Sequence, residues 1–444
     1  MRTGETAPAA AVRALGVPFE TLDYIYGKSR NFDTLAKNLA AAVSDAAKGA
    51  NVAYCVDGCA AEDVSARLVV KKHKGARVLG GVSKSSRAFA AANLAAGAAV
   101  SAYDMQSYSR AVLPLCVYDV DCDLIAGDVK LKLCDMFGDE ADAFFVSEKG
   151  AKKIKLFEAD RQNDYGAFSA IVLGDIPLLE KKRFDYQDLL DLMRLLRAPG
   201  GCPWDRAQTH ESIRANMIEE AYELVDAIDL KDDEKISEET GDVLMQGAFH
   251  SVLGEERGAF TATDVLSGVC GKLIFRHSHI FGTDKAEGES GALSVWEKNK
   301  QKEKGQKTAG DSVRDVPKAF PAVMRAQKAG KRAAKYGYDF KDADEAAAKV
   351  GEELSELMEA LASGEQSRIR EEAGDLLFSA VNVGRLAGAD CETALRESTD
   401  KFIARFLKTE ELILADGKKM EELPSDELWE YYARAKKCDD DQAR

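Results

Sequence analysis

The order of apolar and polar positions divides the chain into two textures. Up to about Pro177, short apolar runs alternate with 3.6-period patterns. "NVAYCV" (51–56), "ARVLGGV" (76–82), "AVLPLCVYDV" (111–120), "DAFFVSE" (142–148) and "FSAIVLGD" (168–175) predict strands. "FDTLAKNLAAAVSDAAK" (32–48) and "AGDVKLKLCDMFG" (126–138) predict helices between them. Strands alternating with helices imply an α/β domain over residues 1–178. From Phe184 the strand signals stop. "DYQDLLDLMRLLR", "IRANMIEEAYELVDAIDL" and "ISEETGDVLMQGAFHSVL" carry apolar residues at helical spacing. The Pro/Gly break "APGGCPWD" separates the first two of these helices. After Trp296 comes a charged linker, "EKNKQKEKGQKTAGDSVRDVPKAFP", and then a further all-helical region. Pro424 and Ser425 open its last helix as a break and a cap.

The two helical regions repeat each other. "MIEEAYELVDAI" matches "VGEELSELMEAL", and "EETGDVLMQ" matches "EEAGDLLFS", at a constant spacing of 133 residues (353 − 220, 375 − 242). "DRAQ" echoes "MRAQ", and "KLIFR" echoes "KFIAR". The pattern therefore predicts tandem all-α domains at residues 186–303 and 316–438.

Composition narrows the chemistry. With 444 residues, a formal charge of −15 and a pI near 5.1, the chain is a poor binder of nucleic acid and of anionic membranes. Its most apolar run, "FAAANLAAGAAVSAY", is too short to span a bilayer. "MRTGETAP" lacks the apolar segment of a signal peptide. Nine cysteines without a CxxC pair fit reduced thiols, so a cytoplasmic location is expected.

Residues i and i+3 of a helix share a face. Glu220 and Glu223 therefore project together, as do Glu239 and Asp242 on the next helix. The second copy supplies Glu353, Glu356, Glu372 and Asp375. Short connections make each helix pair antiparallel, so four carboxylates converge in each copy. Leu224, Val243 and Leu244 leave the first cluster partly desolvated. Like charges so placed must protonate, separate or bind cations. An all-oxygen set favours Mg²⁺, with Mn²⁺ as a substitute, over zinc. A di-iron bundle needs Glu-x-x-His, and the second copy has no histidine. A solvated acidic face is the alternative for a single motif. The doubled motif argues against it. Glu219 and Glu352 stand beside the clusters, exposed or in position to act as a base.

Carboxylate-held Mg²⁺ with basic residues downstream describes a phosphate site. Lys272 with Arg276, and Lys401 with Arg405, stand i,i+4 apart. Asn382 and Arg385 add polar groups in the second copy, where the first has Phe249 and Val252. The second copy is thus expected to be the better equipped.

Taken together, "GCPWDRAQT", EExxE…ExxD, "RHSHIFG", "VWEKNKQKEK", "PAVMRAQKAGKRAAKYGYDF" and "KFIARF" resemble the MazG family of nucleoside triphosphate pyrophosphohydrolases over residues 186–438. The resemblance implies an all-α fold, a homodimer, Mg²⁺, and hydrolysis of a nucleoside triphosphate to monophosphate and pyrophosphate in nucleotide-pool housekeeping. It carries the metal ligands onto the eight acids named above. Trp204, Gln208, Gln327 and Trp429 are candidates for base or sugar contacts. "LGVPFETLDYIY", "NVAYCVDG", "LGGVSKSSRA" and "AGDVKLKL" resemble the tetrapyrrole methylase domain. That domain's Gly-rich opening loop has no counterpart here, and its PGxP-like segment reads "VDGCAAED". The expectation is an incomplete, degenerate methylase-like domain that binds no S-adenosylmethionine. Two other readings stand beside the hydrolase. One is a methyltransferase-derived protein with regulatory nucleotide-binding helical domains. The other is a silent binding or assembly module.

Overall fold

The structure is a computed structural model, and it describes residues 3–4, 7–29, 32–109 and 112–442. The chain forms two compact units, residues 1–265 and 266–444.

The first unit contains a mixed five-stranded sheet, preceded by helices. Strands β1 (Ala98–Ser101), β2 (Leu115–Tyr118), β3 (Asp142–Ser147), β4 (Gly150–Lys155) and β5 (Ala170–Leu173) lie in the order β1-β2-β5-β3-β4. Only the β1–β2 pair is parallel. Strand alternation decides what packs on each face. Leu115, Val117, Ile171 and Leu173 join the helix Asp123–Phe137 in one core. Cys116, Tyr118, Ala170 and Val172 meet the helix Lys84–Ala91 in another.

Three predicted strands and both predicted helices are present. The other two runs are a correction: residues 51–56 and 76–82 carry no strand. An apolar run marks a tendency to be buried, not a hydrogen-bonding partner. β4 escaped the pattern because its sequence, "GAKKIK", is lysine-rich. Charge of this kind guards an exposed sheet edge. The observed sheet is thus smaller and more antiparallel than a methylase-like α/β reading implies.

Both acid-bearing motifs fold into antiparallel helix hairpins, one per unit. In the first unit Arg214–Leu230 is followed by Asp233–Glu256. Lys231 takes a left-handed conformation (φ 55°), and Asp232 caps the second helix through the Lys235 amide. In the second unit Ala343–Ser363 is followed by Gln366–Leu386. Here Gly364 takes the left-handed position (φ 73°). The turn at 364 repeats the turn at 231, 133 residues on. The link is shorter than expected, because "DEKIS" already belongs to the second helix. The helix Tyr186–Arg197, opened by an Asp185–Asp188 capping box, packs on Asp233–Glu256. Arg194 fixes that contact with two hydrogen bonds of 2.9 Å to Glu255. In the second unit the helix Ala322–Ala334 packs on Gln366–Leu386. The last helix begins at Ser425, directly after Pro424.

Candidate metal and phosphate site

The hairpin turns set the register that brings the acids together. Glu220, Glu223 and Glu239 place one carboxylate oxygen each within 4.8 Å of the others, and Glu353, Glu356 and Glu372 do the same. Asp242 and Asp375 stand outside these triads. Asp242 is near enough to act on Glu220 and Glu239 by charge, whereas Asp375 is exposed.

The physical environment is that of a crowded anionic site. Burial pushes the Glu220 carboxyl up, the Gln246 amide 3.4 Å away partly offsets this, and the charges of Asp242, Glu223 and Glu219 add to the rise. Burial also raises Glu239, reinforced by the charges of Glu223, Glu238, Asp242 and Glu220. In the second triad burial raises Glu356, reinforced by the charges of Glu353 and Glu372. Glu353 is 6% exposed. Carboxylates this close disfavour one another's ionisation, and a cation among them favours the charged forms. All-oxygen donors at this spacing suit a hard divalent ion that keeps some of its water.

Several neighbours were missed by sequence reasoning. Lys349 Nζ lies 2.9 Å from Glu353 and 2.8 Å from Glu352. Arg368 lies 3.7 Å from Glu372 and 3.6 Å from Glu359. Each precedes its triad acid by four residues, a helical-spacing signal that was available. The first copy has Asn216 and Lys235 at these positions.

The predicted phosphate and base contacts are placed as follows. Arg385 donates to both carboxylate oxygens of Asp339, one at 3.0 Å, and to Asn382 Oδ1 at 3.2 Å. Asn382 is buried and donates to the Phe378 carbonyl. Their polar groups therefore face each other and Asp339 rather than open solvent. Arg276 is bonded to Glu303 at 2.7 Å and lies over the Trp296 ring. Lys272 and Lys401 are exposed, and Arg405 is half-buried on Cys391–Ala415. Gln327 ties two helices together, donating to the Ala389 carbonyl and accepting from the Cys391 amide. Gln208 donates to the Trp204 carbonyl and accepts from Ser212. Trp204 and Trp429 are exposed, and Trp429 meets Tyr432 edge-on. His277 bonds the Leu273 carbonyl one turn earlier, at 2.7 Å. Leu244, expected to shield the first cluster, is itself half exposed.

Paired helix hairpins with convergent carboxylates form a candidate divalent-cation site in the helical part of the chain. Comparison with known sequences specifies it. The MazG nucleotide pyrophosphohydrolase domain matches residues 208–281 and 342–408. The MazG nucleoside triphosphate pyrophosphohydrolase/pyrophosphatase of Thermotoga maritima is 44% identical over 255 residues, 57% of this chain and 97% of that protein. The nucleoside triphosphate pyrophosphohydrolase of Escherichia coli K12 is 37% identical over 252 residues, 56% of this chain and 96% of that protein. An uncharacterized Bacillus subtilis protein, YabN, is 32% identical over 435 residues, 94% of this chain and 88% of its own length. The chain belongs to the MazG family of nucleotide pyrophosphohydrolases, hydrolases of acid anhydrides.

Among the described residues no helix is long and apolar enough to cross a membrane.

Proposed function

We propose that this chain hydrolyses nucleoside triphosphates to the monophosphate and pyrophosphate with Mg²⁺ or Mn²⁺ at its two acid hairpins. The observation that carries the reading is the doubled triad, each copy inside a segment matching the family domain. Glu220, Glu223, Glu239 and Asp242 hold the ion in the first copy. Glu353, Glu356, Glu372 and Asp375 hold it in the second. When bound, such a cation draws charge from phosphate oxygens and acidifies a water. The protein's own groups do the rest. Lys401 and Arg405 in the second copy pair with phosphate oxygens. Glu352 lies outside the triad and takes the proton of the attacking water. The water oxygen bonds to the α-phosphorus, the bond from that phosphorus to the α–β bridging oxygen breaks, and pyrophosphate leaves with the electron pair. Hydrolysis in ¹⁸O-water with ³¹P NMR tests this step. Label in the monophosphate supports it, and label only in the pyrophosphate refutes attack at the α-phosphorus.

The same reading includes a homodimer. Ile218, Tyr222 and Val225 in the first copy, and Leu354, Met358 and Leu361 in the second, are exposed at helical spacing beside the acids. The proposed partition is residues 1–178, 186–303 and 316–438. The first segment serves as a methylase-derived scaffold or regulator. A relative that matches across both the sheet domain and the helical copies supports treating them as one evolved unit. Nucleotide-pool housekeeping in the cytoplasm follows from the proposed substrates.

A further inference from the structure

The two copies diverge about two and three turns beyond the last acid of the motif. In the first copy Phe249 and Val252 sit in an apolar cluster with Leu190, Met193 and Ile213. In the second, 133 residues later, Asn382 and Arg385 stand against the helix Ala322–Ala334. That helix presents Gly330 to them. A Cβ there would lie 2.8 Å from Asn382 Oδ1 and 3.0 Å from Arg385 Nε. The result is a cavity of about 480 Å³ where the first copy has packed core.

The cavity has a definite chemical character. Ala333, Tyr338, Phe340 and Phe378 give it small and aromatic walls. Its polar groups are Asn382, Glu345, whose carboxylate accepts from the Lys341 amide, and Arg385, neutralised by Asp339. A cation already satisfied by a carboxylate does not draw in a phosphate. Aromatic walls around a fixed amide suit a flat, uncharged heterocycle with a hydrogen-bonding edge. The volume is that of a small-molecule site. Its position fits as well. Phe378 and Asn382 lie on the helical stripe of Asp375, which follows Glu372 by three residues on the same helix.

We propose that this cavity takes the nucleobase of the nucleotide whose phosphates lie at the second triad. The second copy then reads the base with the N–H of the Asn382 amide not used by the Phe378 carbonyl. The proposal rests on the triphosphate-hydrolase reading above.

The test uses the full-length chain carrying Glu223→Gln in the first triad. Ala333→Leu and Asn382→Phe narrow the cavity, and Phe340→Ala removes one wall. Saturation-transfer NMR with adenosine and cytidine, without metal, reads base contact. Kinetics read the ratio of kcat/KM for nucleoside triphosphates to kcat/KM for methyl triphosphate, which has no base. The expected result is base contact in the parent, lost in Ala333→Leu and Asn382→Phe, and a ratio lowered about tenfold in each folded variant. If a cavity-narrowing variant loses its helical CD signal, Phe340→Ala decides. No base contact in the parent, or contact and ratio unchanged in the folded variants, overturns the proposal. A parent that contacts nucleosides through this cavity yet hydrolyses no triphosphate overturns the hydrolase reading instead.

Discussion

The ammonium of Lys349 lies 2.9 Å from the buried carboxylate of Glu353, one helical turn further along the same helix. Hydrogen bonds to Glu352 and Glu353 raise the Lys349 pKa. The second triad thus has a built-in positive neighbour, and the first copy has Asn216 in its place. A positive charge beside a ligand carboxylate opposes a divalent cation. Lys349→Ala, in a chain carrying Glu220→Gln and Glu223→Gln, is expected to tighten Mn²⁺ binding about tenfold. Mn²⁺ titration followed by electron paramagnetic resonance measures it. Unchanged or weaker binding would show that Lys349 does not compete with the cation.

The first triad should make the metal-free protein sensitive to pH. Burial and neighbouring charges raise Glu220 and Glu239. A folded-state value above the unfolded one gives stability that is complete below the unfolded carboxylate value, about pH 4.3. That stability is lost as pH rises through the folded value. At neutral pH without metal, Glu220→Gln is therefore expected to raise Tm. Saturating Mg²⁺ reverses the order, since a ligand at a hundred times its Kd adds about 2.7 kcal/mol to a protein that binds it. Thermal melts of both proteins with EDTA and with Mg²⁺ check both signs.

The Asp339–Arg385 pair should stabilise the second unit. Arg385 holds the Asp339 carboxyl below its usual range. The contribution is fully present above the unfolded Asp value, about pH 3.9, and is lost as pH falls through the folded value. Asp339→Asn leaves the largely buried guanidinium without its anion and is expected to cost about 1–3 kcal/mol. Urea unfolding at pH 7 and at pH 3 checks it. The loss should be clear at pH 7 and smaller at pH 3.

Self-association should depend on the exposed stripe beside the second triad. Met358→Lys with Leu361→Lys places two charges there. Sedimentation velocity is expected to shift from dimer toward monomer. A wild-type chain that is monomeric at micromolar concentration would contradict the dimer directly.

The helical half was legible because each of its signals was local. Apolar spacing set the helices, and a repeated Glu-x-x-Glu set one acidic face. Glu220, Glu223 and Glu239 converge for the reason their spacing suggests. The fate of Arg385 was not legible. It depends on Asp339, 46 residues earlier, which no periodicity ties to it. In the sheet domain, β4 was hidden by the lysines that protect its edge. The runs at 51–56 and 76–82 were apolar enough to be taken for strands, but pairing is a long-range property that composition does not carry.

One measurement bears most directly on the central claim. The purified full-length chain is incubated with ATP, GTP, CTP, UTP and their deoxy forms, with Mg²⁺ or with EDTA, and pyrophosphate is quantified separately from orthophosphate. The expected result is pyrophosphate and nucleoside monophosphate in equal amounts, dependent on the divalent cation and lost when Glu220, Glu223, Glu353 and Glu356 are all changed to Gln. Orthophosphate with nucleoside diphosphate as the first products, or release of pyrophosphate that survives those four substitutions, would contradict it.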